Sequence, residues 1–131
     1  IVPSSTGAAV SVTRAIKDLV GKFDGIALRV PVVCGSVAQV VFVASRPTTV
    51  EEVNGILKKA ASESRWNKIF KITEEQIVSS DIIGESHAAI ADLNFTRVVD
   101  GDLVSVLSWY DNEMGYTHAL VEHVIKAGQA I

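Results

Sequence analysis

The sequence predicts an α+β domain in which helices cover a mixed, largely antiparallel sheet. Apolar residues recur at helical spacing near the start, in the middle and at the end of the chain. Between residues 69 and 110 several β-favouring segments follow one another without a helical pattern, which favours antiparallel pairing over βαβ units. Within that run, Asp100-Gly101 separates two strand-like segments and is the strongest hairpin signal.

The first half of the chain predicts two helices and two strands. Ser4, Ser5 and Thr6 offer N-caps for a first helix that Gly21 would end, with apolar positions Ala9, Val12, Ala15, Ile16, Leu19 and Val20. Residues 25–33 alternate, which indicates a strand, and residues 36–44 are apolar on both faces except at Gln39, which predicts a central strand covered on each side. Thr49 and Glu52 have capping-box spacing at the start of the second helix, whose apolar positions are Val50, Val53, Leu57 and Ala60.

The second half predicts four strands and a closing helix. The strands are expected at residues 69–72, 77–80, 88–98 and 103–110. A turn over residues 111–115 then leads to the helix, whose apolar face contains Ala119, Leu120, His123, Val124 and Ala127.

Composition narrows the class of protein. A chain of 131 residues with 48% hydrophobic and 21% charged residues suits one globular domain, residues 1–131. The net charge of -3, with scattered Lys and Arg, argues against nucleic acid as a partner, and no apolar run approaches the roughly 20 residues that span a bilayer. A single cysteine forms no internal disulfide, so a cytoplasmic location is expected. A start at Ile1-Val2-Pro3 without methionine suggests processing, proteolysis or truncation.

Two features of the first 30 residues are typical of an anion-binding site. Thr6 and Gly7 lie where the first helix starts, and free amides at a helix N-terminus bind anions, although an ordinary cap explains the same residues. Arg29 interrupts an apolar strand, which is costly for a charge unless it is paired. Its planar guanidinium could hold a phosphate, or it could pair with a carboxylate such as Asp24 or Asp92.

The turn after the last strand, Trp109 to Tyr116, concentrates aromatic, acidic and amide groups. Asn112 could offer a donor and an acceptor to a planar ligand that carries an amide, or it could stabilise the turn itself. Cys34 has apolar neighbours and nothing nearby to lower its pKa, so it is interpreted as a buried small hydrophobe. The three histidines, His87, His118 and His123, are too dispersed for a metal site. No glycines fit the dinucleotide-binding fingerprint G-x-G-x-x-G.

Taken together, four blocks resemble the phosphorylating glyceraldehyde-3-phosphate dehydrogenase family, in particular its C-terminal catalytic domain. They occupy residues 1–9, 21–31, 73–81 and 108–116, in family order and with family-like spacing. From the first block to the last they span nearly the whole chain. The resemblance implies an NAD-dependent oxidoreductase of glycolysis that converts glyceraldehyde 3-phosphate and inorganic phosphate to 1,3-bisphosphoglycerate. It also implies a cytoplasmic homotetramer whose interface the sheet largely supplies.

The resemblance assigns roles to five residues. Thr6 and Gly7 would bind the attacking inorganic phosphate, and Arg29 would contact the phosphate of substrate or attacking anion. Asn112 would hold the nicotinamide carboxamide, and Tyr116 would lie beside the ring. The family's nucleophilic cysteine, in a Ser-Cys-Thr-Thr-Asn-Cys-like segment, and its catalytic histidine are expected upstream of this chain, as is the NAD-binding Rossmann domain. The chain therefore contains no catalytic residue under this hypothesis, and Cys34 does not replace the nucleophile.

Two alternatives stay open at this point. One is a non-catalytic phosphate-binding or assembly module that shares the fold. The other is a related dehydrogenase that acts on erythrose 4-phosphate, because the segments that discriminate the aldose phosphate lie largely upstream. The choice between NAD and NADP depends on ribose-binding residues that are likewise not in this segment.

Overall fold

The computed structural model describes residues 1–130, which divide into two compact units. The first unit is Ile1–Val33, and the second begins at Cys34. No helix within residues 1–130 has the length and apolar character needed to cross a membrane.

The first unit consists of one helix and a two-stranded sheet. Strand β1 (Val2–Ser5) precedes helix α1 (Gly7–Ala15), a 3-10 turn follows at Lys17–Leu19, and strand β2 (Ile26–Arg29) pairs antiparallel with β1. The predicted helix start at Thr6 is confirmed. The helix ends earlier than predicted because the backbone at Ile16 is extended, so the apolar positions from Ile16 onward do not extend its face.

The second unit is built on a four-stranded sheet. Its strands are β3 (Ser36–Val43), β4 (Phe70–Thr73), β5 (Ala89–Val99) and β6 (Leu103–Tyr110), in the order β3-β6-β5-β4. The β4–β5 pair is parallel and the other two pairs are antiparallel, which confirms the predicted mixed, largely antiparallel sheet. Helix α2 (Val50–Ser62) packs on β4 and β5, and helix α3 (Met114–Gln129) follows β6.

The predicted hairpin joins β5 to β6. Val99 pairs with Leu103, and both Asp100 (φ 51°) and Gly101 (φ 80°) adopt the left-handed backbone that a tight turn requires. The predicted α+β class and this turn are therefore both confirmed.

Two predicted strands differ from the structure. Segment 36–44 forms a strand, but β3 lies at the edge of the sheet and its apolar side chains are exposed, with Val43 71% exposed. A run that is apolar on both faces does not reveal where a strand lies in the sheet order. Segment 77–80 enters a 3-10 turn at Ser79–Ile82, because the Asp81 carboxylate accepts the Val78 N–H at 2.7 Å and bends the chain.

Helix α2 begins directly after Thr49, the residue predicted to cap it. The Thr49 hydroxyl accepts from the Glu52 N–H at 3.2 Å, as a capping residue does. The Glu52 carboxylate completes no reciprocal bond and instead accepts from Arg46 and Thr48. The hydrogen bonds from Arg46 and Thr48 lower the pKa of Glu52 to about 2.

The core of the second unit lies along β5 and its neighbours. Its apolar members are almost fully buried: Ile82, Ile90, Ala91, Leu93 and Val104. Asp92 is buried among them, and its carboxylate accepts from the indole N–H of Trp109 at 3.0 Å. This bond satisfies a polar group that would otherwise be costly to bury, and it ties β5 to the end of β6.

Candidate functional site

The start of α1 carries the first two predicted site residues. Thr6 has extended backbone (φ -139°, ψ 137°), and its hydroxyl accepts from the Ala8 N–H at 3.2 Å. Gly7 is exposed, and a Cβ placed on it would meet no heavy atom within 4 Å. The capping interpretation is thus confirmed, and the open space over Gly7 leaves room for an anion to approach the backbone.

Arg29 lies at the end of β2, opposite Val2 of β1. Its Nε donates to the Ser4 hydroxyl at 3.2 Å, while the Asp24 carboxylate accepts from the Gly25 N–H, so the alternative pairing with Asp24 is not formed. Within residues 1–130 the terminal guanidinium nitrogens of Arg29 make no hydrogen bond. Ser4 therefore orients the guanidinium and leaves its two terminal nitrogens able to bind an anion in a bidentate manner.

Asp111 organises the turn between β6 and α3. The residue is 2% exposed, and its carboxylate accepts from three backbone N–H groups: Glu113 at 2.8 Å, Met114 at 2.9 Å and Gly84 at 2.9 Å. The bonds from Met114, Gly84 and Glu113 lower the pKa of Asp111 to about 2. The Asp111 carboxylate is therefore negatively charged at neutral pH although it is buried in the turn.

Cys34 contacts the same carboxylate. Its Sγ donates to Asp111 Oδ1 at 3.5 Å, so its surroundings are not purely apolar as the sequence suggested, and the residue is only partly buried. Burial raises the pKa of the Cys34 thiol, and the hydrogen bond and negative charge of Asp111 raise it further. A thiol with a raised pKa is a poor nucleophile, since thiolate is the reactive form.

Asn112 is held by a residue from β3. The β3–β6 register places Ser36 opposite Tyr110, and the Ser36 hydroxyl donates to Asn112 Oδ1 at 3.3 Å. In the part of the chain that the structure describes, no acceptor bonds to the amide nitrogen of exposed Asn112. An amide with its oxygen engaged and its NH2 group available fits the carbonyl oxygen of a carboxamide such as that of nicotinamide.

Tyr116 lies in the first turn of α3 and is 68% exposed. Its neighbour Gly115 is buried, and a Cβ there would lie 2.8 Å from the His87 carbonyl oxygen and 3.2 Å from Ala88 Cα. Only glycine permits this approach, so the first helical turn is packed directly against the backbone of residues 87–88. That contact fixes the backbone of the helical turn that carries Tyr116.

The histidines form no metal site within residues 1–130, where no cluster of three His, Cys, Asp or Glu side chains could hold an ion. His87 Nδ1 lies 2.7 Å from Glu85 Oε1, and Lys71 bonds to the other oxygen of that carboxylate. Burial raises the pKa of Glu85, but the bonds from Lys71 and His87 outweigh it and lower the value to about 2. His87 therefore belongs to an ion-paired cluster beside the segment that Gly115 contacts.

Sequence reasoning missed the residues that support Asn112, namely Ser36, Gly84, Asp111 and Gly115. One signal was available for Asp111, since an aspartate just before a helix is a common capping residue. No local signal marks Ser36, because its partner lies 76 residues away and is brought close only by strand register.

Comparison with known proteins places the chain in a family. Residues 1–112 match the family model described as glyceraldehyde 3-phosphate dehydrogenase, C-terminal domain. This range includes Thr6, Gly7, Arg29 and Asn112, and Tyr116 lies just beyond it.

Similar proteins named glyceraldehyde-3-phosphate dehydrogenase occur in several bacteria. The chain is 48% identical to that of Clostridium pasteurianum over an alignment of 124 residues, and the match covers 92% of this chain and 36% of the relative. It is 46% identical to that of Clostridium acetobutylicum, with the same coverage of both. It is 44% identical to that of Mycobacterium avium over 131 residues, or 100% of this chain and 38% of the relative.

The chain thus spans little more than a third of the length of these relatives, all of which are oxidoreductases by name. The family model covers most of the chain, and the observed α+β architecture agrees with it. The chain belongs to the glyceraldehyde-3-phosphate dehydrogenase family and corresponds to its C-terminal domain.

Proposed function

We propose that this chain is the C-terminal, catalytic part of a glycolytic, phosphorylating glyceraldehyde-3-phosphate dehydrogenase. The complete enzyme oxidises glyceraldehyde 3-phosphate with NAD and inorganic phosphate and yields 1,3-bisphosphoglycerate and NADH. The observation that carries this proposal is the family match over residues 1–112, which spans four of the five predicted site residues. NAD is proposed because the family uses it in general.

In this proposal the first unit supplies phosphate contacts. Thr6 and Gly7 bind inorganic phosphate through the amides at the start of α1, supported by the open space over Gly7. Arg29 binds the phosphate of substrate or attacking anion through the terminal nitrogens that Ser4 leaves unpaired.

The second unit supplies the nicotinamide contacts. Asn112 donates its NH2 group to the carboxamide oxygen, and the Tyr116 ring lies beside the nicotinamide. When bound, NAD supplies the hydride acceptor of the reaction. The Ser36 bond to Asn112 Oδ1 and the exposure of Tyr116 support these assignments.

The nucleophilic cysteine, the catalytic histidine and the NAD-binding Rossmann domain are proposed to belong to a part of the enzyme outside residues 1–131. The raised pKa of Cys34 supports its exclusion as the nucleophile. We further propose that residues 1–131 form most of the catalytic domain of a cytoplasmic homotetramer. The 131 residues alone should give no NADH from NAD, phosphate and aldehyde, because no thiolate is available for the covalent step.

The first test measures NADH formation by the full-length natural protein with glyceraldehyde 3-phosphate and inorganic phosphate. Replacing Arg29 by Ala should raise the KM for a phosphate-bearing reactant by about ten- to hundredfold, as expected for a lost charge-assisted hydrogen bond. Arg14→Ala is the matched control, since Arg14 is an exposed arginine in the last turn of α1.

Three outcomes would contradict the proposal. Equal kinetics for the Arg29 and Arg14 variants would remove Arg29 from the phosphate site. Faster turnover of erythrose 4-phosphate than of glyceraldehyde 3-phosphate would assign the related substrate class. Absence of activity in the full-length protein with both NAD and NADP would favour the non-catalytic binding module.

A further inference from the structure

Asn112 needs two kinds of support to bind a carboxamide. Its backbone must be placed at a fixed point, and its side-chain amide must face the ligand. An exposed asparagine without restraint samples several side-chain rotamers, and only some of them place the amide against the ligand.

The Asp111 carboxylate provides the first support. Through Gly84, Glu113 and Met114 it joins the loop before β5 to both residues that follow Asn112. The same carboxylate accepts from Cys34, two residues before Ser36. One buried group therefore connects the start of β3, the loop before β5 and the residues that follow Asn112.

The Ser36 hydroxyl provides the second support. It donates to Asn112 Oδ1 at 3.3 Å and so restrains the Asn112 side chain. Gly35, the residue before it, has φ +89° and leaves a Cβ position only 3.1 Å from the Ser79 carbonyl oxygen, so the start of β3 is itself closely packed. Ser36 thus acts from a fixed position.

We propose that Asp111 and Ser36 are positioning residues for the nicotinamide contact, with Asp111 fixing the backbone of Asn112 and Ser36 holding its side-chain amide in place for the cofactor carboxamide. The inference rests on the proposed function, because it takes Asn112 as a nicotinamide ligand. Neither residue touches the cofactor in this scheme, and both act through Asn112.

The test measures cofactor affinity rather than turnover. The dissociation constants of NAD and of an analogue whose pyridinium ring lacks the carboxamide are determined by titration of the full-length natural protein. Ser36→Ala should weaken NAD binding by about three- to tenfold, the effect of one lost neutral hydrogen bond, and leave the analogue unchanged. Ser36→Thr keeps the hydroxyl and should restore NAD affinity.

The matched control is Ser105→Ala. It removes the bond from Gln39 to Ser105, which joins the same two strands, so it carries a similar structural cost and should change neither dissociation constant. Asp111→Asn should also weaken the binding of NAD more than that of the analogue. In this variant the side-chain NH2 group, a donor, would face the Gly84 N–H, which is also a donor. In cofactor-free protein, hydrogen exchange in the peptide containing Gly84 should be faster in this variant, because the Gly84 N–H loses its acceptor.

The outcomes separate the two proposals. If the unsubstituted protein binds no NAD, the proposed function and this inference both fail. If it binds NAD but Ser36→Ala weakens NAD and the analogue equally, or neither, the positioning role fails while the proposed function stands. Loss confined to NAD, with rescue by threonine, supports the positioning role.

Discussion

Helices α1 and α3 both start beside residues that we propose to bind ligands, but the two starts are held in different ways. At α1 a single exposed hydroxyl, that of Thr6, accepts one N–H, and Gly7 stands in open space. At α3 a buried carboxylate accepts three N–H groups, and Gly115 lies against neighbouring backbone. The start of α1 is stabilised by a local interaction alone, and the start of α3 by local bonds together with contacts distant in sequence.

This difference separates two ways of presenting a ligand group. At α1 the proposed binding groups are the backbone amides themselves, which the helix orients without further help. At α3 the proposed binding group is a side chain, Asn112, whose direction depends on what surrounds it. We therefore expect substitutions at the start of α3 to have larger effects on stability than those at α1.

The largest expected effect is that of Asp111→Ala. It leaves the part-buried N–H groups of Gly84, Glu113 and Met114 without an acceptor, so the second unit should unfold about 10 °C or more below the unsubstituted protein. Thermal unfolding followed by Trp109 fluorescence in a Trp66→Phe background measures this. A decrease no larger than that caused by Thr6→Ala would contradict the distinction between the two helix starts.

Alanine at the two glycines should have opposite consequences. Gly115→Ala places a Cβ 2.8 Å from a backbone oxygen and should destabilise the second unit by about 1–3 kcal/mol. Gly7→Ala meets no atom within 4 Å and should be neutral or stabilising by up to about 1 kcal/mol. Chemical denaturation of both variants provides the comparison, and equal destabilisation would show that space at the helix start does not matter.

Acid should affect α3 through Asp111. Its pKa is lowered from 3.8 to about 2, so its contribution to stability is complete above its unfolded pKa and is lost as pH falls through the folded value. Denaturation midpoints measured between about pH 5 and 2 should fall more steeply for the natural protein than for Asp111→Asn. The other strongly shifted acids, Glu52 and Glu85, are present in both proteins, so identical slopes would exclude a contribution from Asp111.

The smallest expected effect is that of Thr6→Ala. It removes one exposed capping bond and should cost about 1 kcal/mol of the free energy of unfolding of the first unit. Thr13→Ala is the matched control within the same helix, because the Thr13 hydroxyl bonds to the Val10 carbonyl without capping a terminus. A larger loss for the Thr13 variant would contradict the role of Thr6 as the cap.

The sequence predicted the parts of the fold that depend on neighbouring residues. The bounds of β6 were predicted correctly because its β-favouring residues and the Asp100-Gly101 turn are both local signals. The edge position of β3 was not predicted, since its pattern carries no information on strand order. The network around Asp111 was missed because two of its partners, Gly84 and Cys34, lie 27 and 77 residues away.

The register of β3 and β6 also makes the length of both strands matter. The two strands pair without interruption from Ser36–Tyr110 to Val43–Leu103. Because side chains alternate between faces, one residue added to or lost from either strand would turn Ser36 to the opposite face from Asn112, whatever residue types were kept. Homologous proteins that retain the amide contact should therefore tolerate substitutions in these strands far better than changes in their length.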